Sequence, residues 1–343
     1  MKRIKLFLAA SLFAFTSNAQ DSTSQSLASK IEWSGFADIY FSWADAGMNP
    51  AENLYFNHTS RDQVSLNMGM IKASYEGTDF RANFGLMAGS YVQNNLSHEP
   101  AAFRNIWEAN LGYKIRDGLW IDAGVFASHL GFESAISTQN LTLTRSLVAE
   151  NSPYYLSGVN LSYEANEKWT FLLNLSNGWQ VMQENNNALA GGTQIQFKPT
   201  SNLTFNYSTF FGDEFDFTGQ TSFRLFNNFY AQLDAGDNFH AILGFDYGIQ
   251  NSADWMGGAL ILAYDLNDKL SVAGRGEFFR DELGNVLSYA SETLSGSLNL
   301  DVHLTDKLDF RIEGKWYERS PLIATTLFNQ DGLMVFGSLA TEF

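Results

Sequence analysis

From Trp33 to Trp43 every second residue suits lipid (Trp33, Gly35, Ala37, Ile39, Phe41, Trp43), while most of those between (Ser34, Asp38, Tyr40, Ser42) prefer water. A two-residue period sorts side chains onto opposite faces of a strand. The alternation recurs down the chain, with Phe80, Ala82, Phe84 and Leu86 set against Arg81, Asn83 and Gly85, and Leu119, Ile121, Ala123 and Val125 against Trp120, Asp122 and Gly124. It ends on Leu333, Val335, Gly337, Leu339, Thr341 and Phe343. The spacing of aromatic residues adds a length. At a strand tilt of about 40°, ten residues rise about 25 Å, the height of the apolar band of an outer-membrane barrel. Trp33 and Trp43 have that spacing, and so do Trp169 and Trp179, so these four and the terminal Phe343 are read as membrane-interface residues.

Seven short hydrophilic clusters break the alternation: Glu76–Asp79, Arg116–Gly118, Glu164–Lys168, Lys198–Asn202, Ala235–Asn238, Asp265–Lys269 and Thr305–Lys307. They carry the Gly, Asn, Asp and Pro of tight turns. Between successive turns lie an outgoing strand, a longer polar connection and a returning strand, which predicts eight hairpins. The fold class is therefore all-β: a closed antiparallel transmembrane β-barrel of about 16 strands, with short periplasmic turns and longer extracellular loops. The least regular segment surrounds Met68, Met70 and Lys72. A soluble β-sandwich also alternates, but so many strands would leave edges to protect, and closure removes them.

The N-terminus reads as an address. Lys2, Arg3 and Lys5 precede an apolar run from Leu6 to Phe15 and then Ser17-Asn18-Ala19, so residues 1–19 are expected to be a signal peptide, 20–30 a flexible leader and 31–343 the barrel. The run is too short to span a bilayer, and no later stretch approaches the roughly 18 apolar residues of a membrane helix. There is no Cys to form a disulfide or carry a lipid. Removing the signal's three bases deepens the net charge from −16 to −19, which makes nucleic acid a poor partner.

The middle of the chain carries a resemblance. Gly118-Leu-Trp-Ile-Asp-Ala-Gly-Val-Phe, Ser128-His-Leu-Gly-Phe-Glu-Ser-Ala, Leu143-Thr-Arg-Ser-Leu and Ala149-Glu-Asn-Ser-Pro-Tyr-Tyr resemble the β-barrel porin type 2 family, OmpL-like. The likeness extends over most of the mature chain and is strongest over residues 104–180. It implies a porin-like barrel of Gram-negative outer membranes, with no catalytic motif to carry over. The aromatic last residue resembles the C-terminal signal by which the barrel-assembly machinery recognises its clients.

Barrels of this size enclose water, because diameter grows with strand number beyond what inward side chains fill. Inward positions here are mostly Gly, Ser, Asn, Thr and charged residues, with exceptions such as Trp120, Phe126 and Phe279. Passive diffusion of small hydrophilic solutes and ions is the expected function. Inward charges nearly balance, so most of the acidity belongs to turns and rims and predicts a mild cation preference, screened beyond about 8 Å at physiological salt. Two arcs of pore-lining charge stand out: Arg81, Glu108 and Asp122, and Arg275, Glu277, Asp301, Arg311, Glu313 and Lys315. They can filter solutes by their field or merely pair across strands. The long connection from His129 to Ser152 carries Glu133, Arg145 and Glu150 and is expected either to fold inward as a constriction loop or to extend the wall.

Other chemistry is thin. The five His residues (58, 98, 129, 240, 303) lack metal-ligand spacing, and Asp213, Glu214 and Asp216 lack the ligand set of a calcium loop, so no metal or cofactor is expected. Ser128 and His129 are chain neighbours that point apart if extended, which gives no catalytic residue. The competing functions are a non-conducting barrel serving as adhesin, receptor or anchor, and a barrel lipase. Expected partners are outer-membrane lipids, solutes and the assembly machinery, and the plan is compatible with a homotrimer.

Overall fold

The computed structural model describes residues 30–45, 55–216, 218–287, 289–322 and 330–343; the signal peptide and nearly all of the leader expected from the sequence lie outside them. Sixteen strands run in chain order. The first eight are β1 (Ile31–Ala44), β2 (Val64–Glu76), β3 (Phe80–Ala88), β4 (Ile106–Arg116), β5 (Leu119–Ala127), β6 (Tyr155–Asn166), β7 (Trp169–Ser176) and β8 (Ala190–Thr200). The others are β9 (Leu203–Phe215), β10 (Thr221–Ala235), β11 (Phe239–Gln250), β12 (Ala253–Asn267), β13 (Leu270–Asp281), β14 (Ser291–Thr305), β15 (Leu308–Pro321) and β16 (Gln330–Glu342). Each pairs antiparallel with its chain neighbours, and β16 closes onto β1 through Phe36 opposite Glu342 to Ala44 opposite Met334. Closure satisfies every sheet edge, as strands in hydrocarbon require. All seven expected turns fall between strands at one end of the barrel.

The outward positions form an apolar belt that includes Ile39, Phe41, Phe84, Leu111, Leu173, Leu243, Leu260, Leu298 and Ile312. Trp33, Trp43, Trp169 and Phe343 stand exposed among them. The irregular alternation of β2 has a structural cause. Asp38 lies opposite Met68 but Ile39 lies opposite Leu66, a bulge that leaves Asn67 and Met68 both buried. A similar shift between Lys114 and Arg116 interrupts the alternation at the end of β4, and the Arg116 guanidinium sits 5.2 Å from the centroid of the Tyr163 ring.

The interior is fuller than small polar inward positions suggest. Phe210, Phe226, Trp255, Phe279 and Phe336 are buried inside in one apolar cluster with Leu143, Leu147 and Val148. A second cluster gathers Phe36, Met68, Met70, Met87, Tyr91, Val125, Ile136, Tyr155 and Met182. Val125, expected to face lipid, is buried there, one residue after Gly124 at φ 131. Two short helices contribute to this filling, α1 (Ser90–Asn95) and α2 (Leu147–Glu150).

Candidate functional site

The connection between β5 and β6 determines the shape of the interior, and it folds inward. It leaves Ala127 at the long-loop end, where the carbonyl of His129 accepts hydrogen bonds from Gln194 Nε2 at 2.9 Å and Ser208 Oγ at 3.0 Å. Gly131 N then donates to Asn228 Oδ1 at 3.1 Å, and Phe132 packs against Tyr230. Phe132 reaches the wall because β11 has no side chain beneath it: a Cβ on Gly244 would stand 2.1 Å from the ring. At its tip a single 3-10 turn, Ser137–Gln139, reaches the wall where β16 closes onto β1. There Ser137 Oγ donates to Asp38 Oδ2 at 3.1 Å and Thr138 Oγ1 to Glu342 Oε2 at 2.9 Å. The segment therefore crosses the interior from the wall of β8 to β10 to that of β16 and β1, meeting most strands near their middles, before returning through α2.

The returning limb lies on the second arc of wall charges. Arg275 Nη1 donates to Thr142 Oγ1 at 2.7 Å, and Nη2 donates to Thr144 Oγ1 and Glu313 Oε1, both at 2.8 Å. Glu313 Oε2 accepts from Thr144 N at 2.6 Å, Glu277 Oε2 from Leu147 N at 2.6 Å, and Asn299 Oδ1 from Leu143 N at 3.0 Å. Lys315 pairs with Glu277, and Arg311 holds Asp301 through Nε at 2.7 Å and Nη2 at 2.8 Å while donating to the carbonyls of Ser137 and Asn140. Arg275, Glu277, Asp301, Arg311, Glu313 and Lys315 all face inward, but the loop covers them, and Glu313 and Lys315 have no exposed surface. This arc, expected to line water, is instead the seat of the loop. Such groups tolerate burial because each charge faces an opposite one and most are hydrogen-bonded as well.

Glu133, Arg145 and Glu150 share the interior but do not oppose one another across an opening. Glu133 accepts from the amide and hydroxyl of Ser146 and lies 3.8 Å from Arg275; burial pushes its carboxyl above the usual range, against the pull of Arg275. Arg145 stacks 3.7 Å over Tyr154 and donates to Ala149 O, and Glu150 accepts from Phe56 N and the Tyr154 hydroxyl. These are fastenings within the loop and its surroundings. Trp179 also departs from expectation, because β7 ends at Ser176 and Gly178, at φ 145, breaks the parity. Its ring turns inward onto Phe210 and Phe226, with the Arg224 guanidinium 4.8 Å from its centroid.

The arc of β3 to β7 is left largely uncovered. Arg81 grips Asp122 with two parallel bonds of 2.7 and 2.6 Å and lies over the Trp120 ring at 4.5 Å. Lys72, whose place the bulge in β2 sets, pairs with Glu108 at 2.7 Å. These four line a hollow of ≈ 370 Å³ with Asn83, Asn110, Asn160 and Ser162. Towards the long-loop end a second hollow of ≈ 540 Å³ is lined by Phe56, Glu150, Tyr155, Trp179, Glu214 and Arg224 among others. Ala127, at the head of the first, is the register partner of Tyr155 in the second. Tyr155 and Val125 belong to the apolar cluster that narrows the interior at this level. Asp38 already reads as an inward acid in the alternation of β1. His58, which meets it at 2.8 Å, and Asn67 could not be read in advance, because a loop and a bulge place them.

His129 is the loop's acid-sensitive point. Burial lowers its imidazole from 6.5 to about 4, only partly offset by the carbonyl of Thr209 at 3.1 Å. Because the cation is disfavoured in the folded state, the unfolded state binds more protons between these values. Its contribution to loop stability is complete above about pH 6.5 and is lost as pH falls towards 4. Loop proteolysis or hydrogen exchange should therefore rise on acidification over this window, and the His129→Gln variant should lose that part of the pH dependence.

A sixteen-stranded closed barrel with one connection folded onto its inner wall defines a porin fold. The chain belongs to the family described as "Putative beta-barrel porin-2, OmpL-like", which matches residues 30–341. Among solved structures it is similar to OprB of Pseudomonas putida, with 12% identity, TM-score 0.60, and coverage of 92% of this chain and 95% of the other. It is also similar to an anion-selective porin from Comamonas acidovorans (8%, TM-score 0.59, 91% and 99%) and to a trimer form of OmpT of Vibrio cholerae (9%, TM-score 0.59, 91% and 99%). At these identities the likeness is one of fold. No curated protein matches it in sequence.

Proposed function

We propose that this protein is an outer-membrane porin through which small hydrophilic solutes and ions diffuse passively. The observation that carries the reading is the hollow beside the loop, where Lys72, Glu108, Arg81 and Asp122 set charges of both signs among amides. Such a wall favours small dipolar solutes over apolar ones of the same size. Its long-loop end faces outward and its short turns face the periplasm, after export by the 1–19 signal. The belt of exposed apolar side chains faces lipid, and Trp33, Trp43, Trp169 and Phe343 sit at the interfaces. The trimer form among the structural neighbours supports a homotrimer, and the excess of acids over bases supports a weak cation preference.

The narrowing by Tyr155, Val125, Met87 and Met182 favours a second reading, a barrel that does not conduct and serves as a receptor or anchor. Planar-bilayer recording and liposome swelling with sugars and amino acids decide between the two. Defined conductance steps and swelling are expected. Barrels that insert and give neither would support the second reading.

A further inference from the structure

Three hairpins each place one polar pair just inside their short turns: Asp234 and His240 on β10 and β11, Asp265 and Ser271 on β12 and β13, and His303 and Asp309 on β14 and β15. Their side chains meet across hairpins as well as within them. Asp234 Oδ1 lies 2.7 Å from His240 Nδ1, and His240 Nε2 lies 3.2 Å from Asp265 Oδ2. Ser271 Oγ lies 2.6 Å from Asp265 Oδ1 and 3.2 Å from His303 Nε2, and His303 Nδ1 lies 2.7 Å from Asp309 Oδ1. The result is one unbroken chain of contacts over six adjacent strands, on the inner face at one mouth. The imidazoles and their three carboxylates are 22–44% exposed, so water and ions reach them.

Resting on the porin reading, we propose that this chain is a cation-selecting collar of the short-turn mouth, with His240 and His303 setting its strength. The hydrogen-bond inventory shows how. With both imidazoles protonated every link has one donor: His240 donates to Asp234 and Asp265, Ser271 to Asp265, and His303 to Ser271 and Asp309. Two positive charges then offset three negative ones. With both imidazoles neutral, one ring nitrogen of His240 faces a carboxylate without a proton between them, and the mouth carries three uncompensated negative charges. Protonating the imidazoles therefore weakens the collar, which attracts cations more strongly at pH 8 than at pH 5. The other charged groups nearby are Asp301, held by Arg311, and the turn residues Asp237, Asp268, Lys269, Asp306 and Lys307. Ser271, His303 and Asp309 have the spatial order of a hydrolytic triad. However, Asp265 holds the Ser271 hydroxyl and puts negative charge where an oxyanion would form, so the arrangement suits cations rather than acyl transfer.

The test is the reversal potential of the full barrel in a planar bilayer under a KCl gradient, with pH lowered from 8 to 5 on one side at a time. Acidifying the short-turn side should reduce the K⁺/Cl⁻ permeability ratio by about twofold, and acidifying the other side should change it much less. The His240→Gln/His303→Gln variant should abolish the side-specific response, and His303→Gln alone should retain part of it. An equal pH response in wild type and double variant would overturn the collar while leaving the porin reading in place. Absence of any conductance would remove that reading and the collar with it.

Discussion

Deleting residues 134–147 should raise single-channel conductance severalfold. The segment crosses the interior and covers the inner wall from β13 to β16, so its removal returns that cross-section to water. The deletion joins two limbs that already meet, because Glu133 accepts a hydrogen bond from Ser146 N. The wall charges left behind pair among themselves, Arg275 with Glu313 and Glu277, Lys315 with Glu277, and Arg311 with Asp301. They would then line the pore as the sequence had suggested. A deleted barrel that folds and conducts no more than wild type would show that the loop does not limit flow.

Arg275→Met should detach the loop while leaving the barrel intact. Arg275 is fully buried, faces Glu277, Glu313 and Glu133, and donates to Thr142 and Thr144 of the returning limb. Removing one partner from a buried ionic cluster costs about 3–5 kcal/mol, because the remaining charges stay in low dielectric without compensation. Here the penalty can be relieved by letting water in, which means releasing residues 140–147. Arg145 supplies the readout: it is the one Lys or Arg between residues 128 and 154, and it is buried when the loop is seated. Trypsin should cut at Arg145 in the variant and not in wild type, while the barrel remains resistant to detergent. Equal protection of both would mean that the loop is held by its apolar contacts instead.

Much of this protein is legible in its sequence because a lipid environment imposes a strict code. Every strand must alternate, every edge must close, and every short turn needs its own chemistry. That is why the seven turns, sixteen strands and outward Trp33, Trp43 and Trp169 can be read in advance. The code holds only where the backbone stays regular. It fails at the bulge beside Asn67 and Met68, at the register shift near Arg116, and at Gly178, where the chain leaves the strand and carries Trp179 inward.

The inner wall follows a different rule. Parity tells which of Arg275, Glu277, Arg311, Glu313 and Lys315 point inward, but not what meets them there. An inward charge can face water or a folded-back segment, and both satisfy it. The choice rests with contacts more than a hundred residues apart in the chain, such as Thr144 with Glu313 and Leu147 with Glu277. By itself, then, the sequence determined the cylinder, since a local two-residue period and a single hydrophobic outside are enough to specify it. Only the tertiary structure decided how much of that cylinder stays open, because filling it depends on how one loop's hydrogen bonds and apolar side chains match a wall assembled from distant strands.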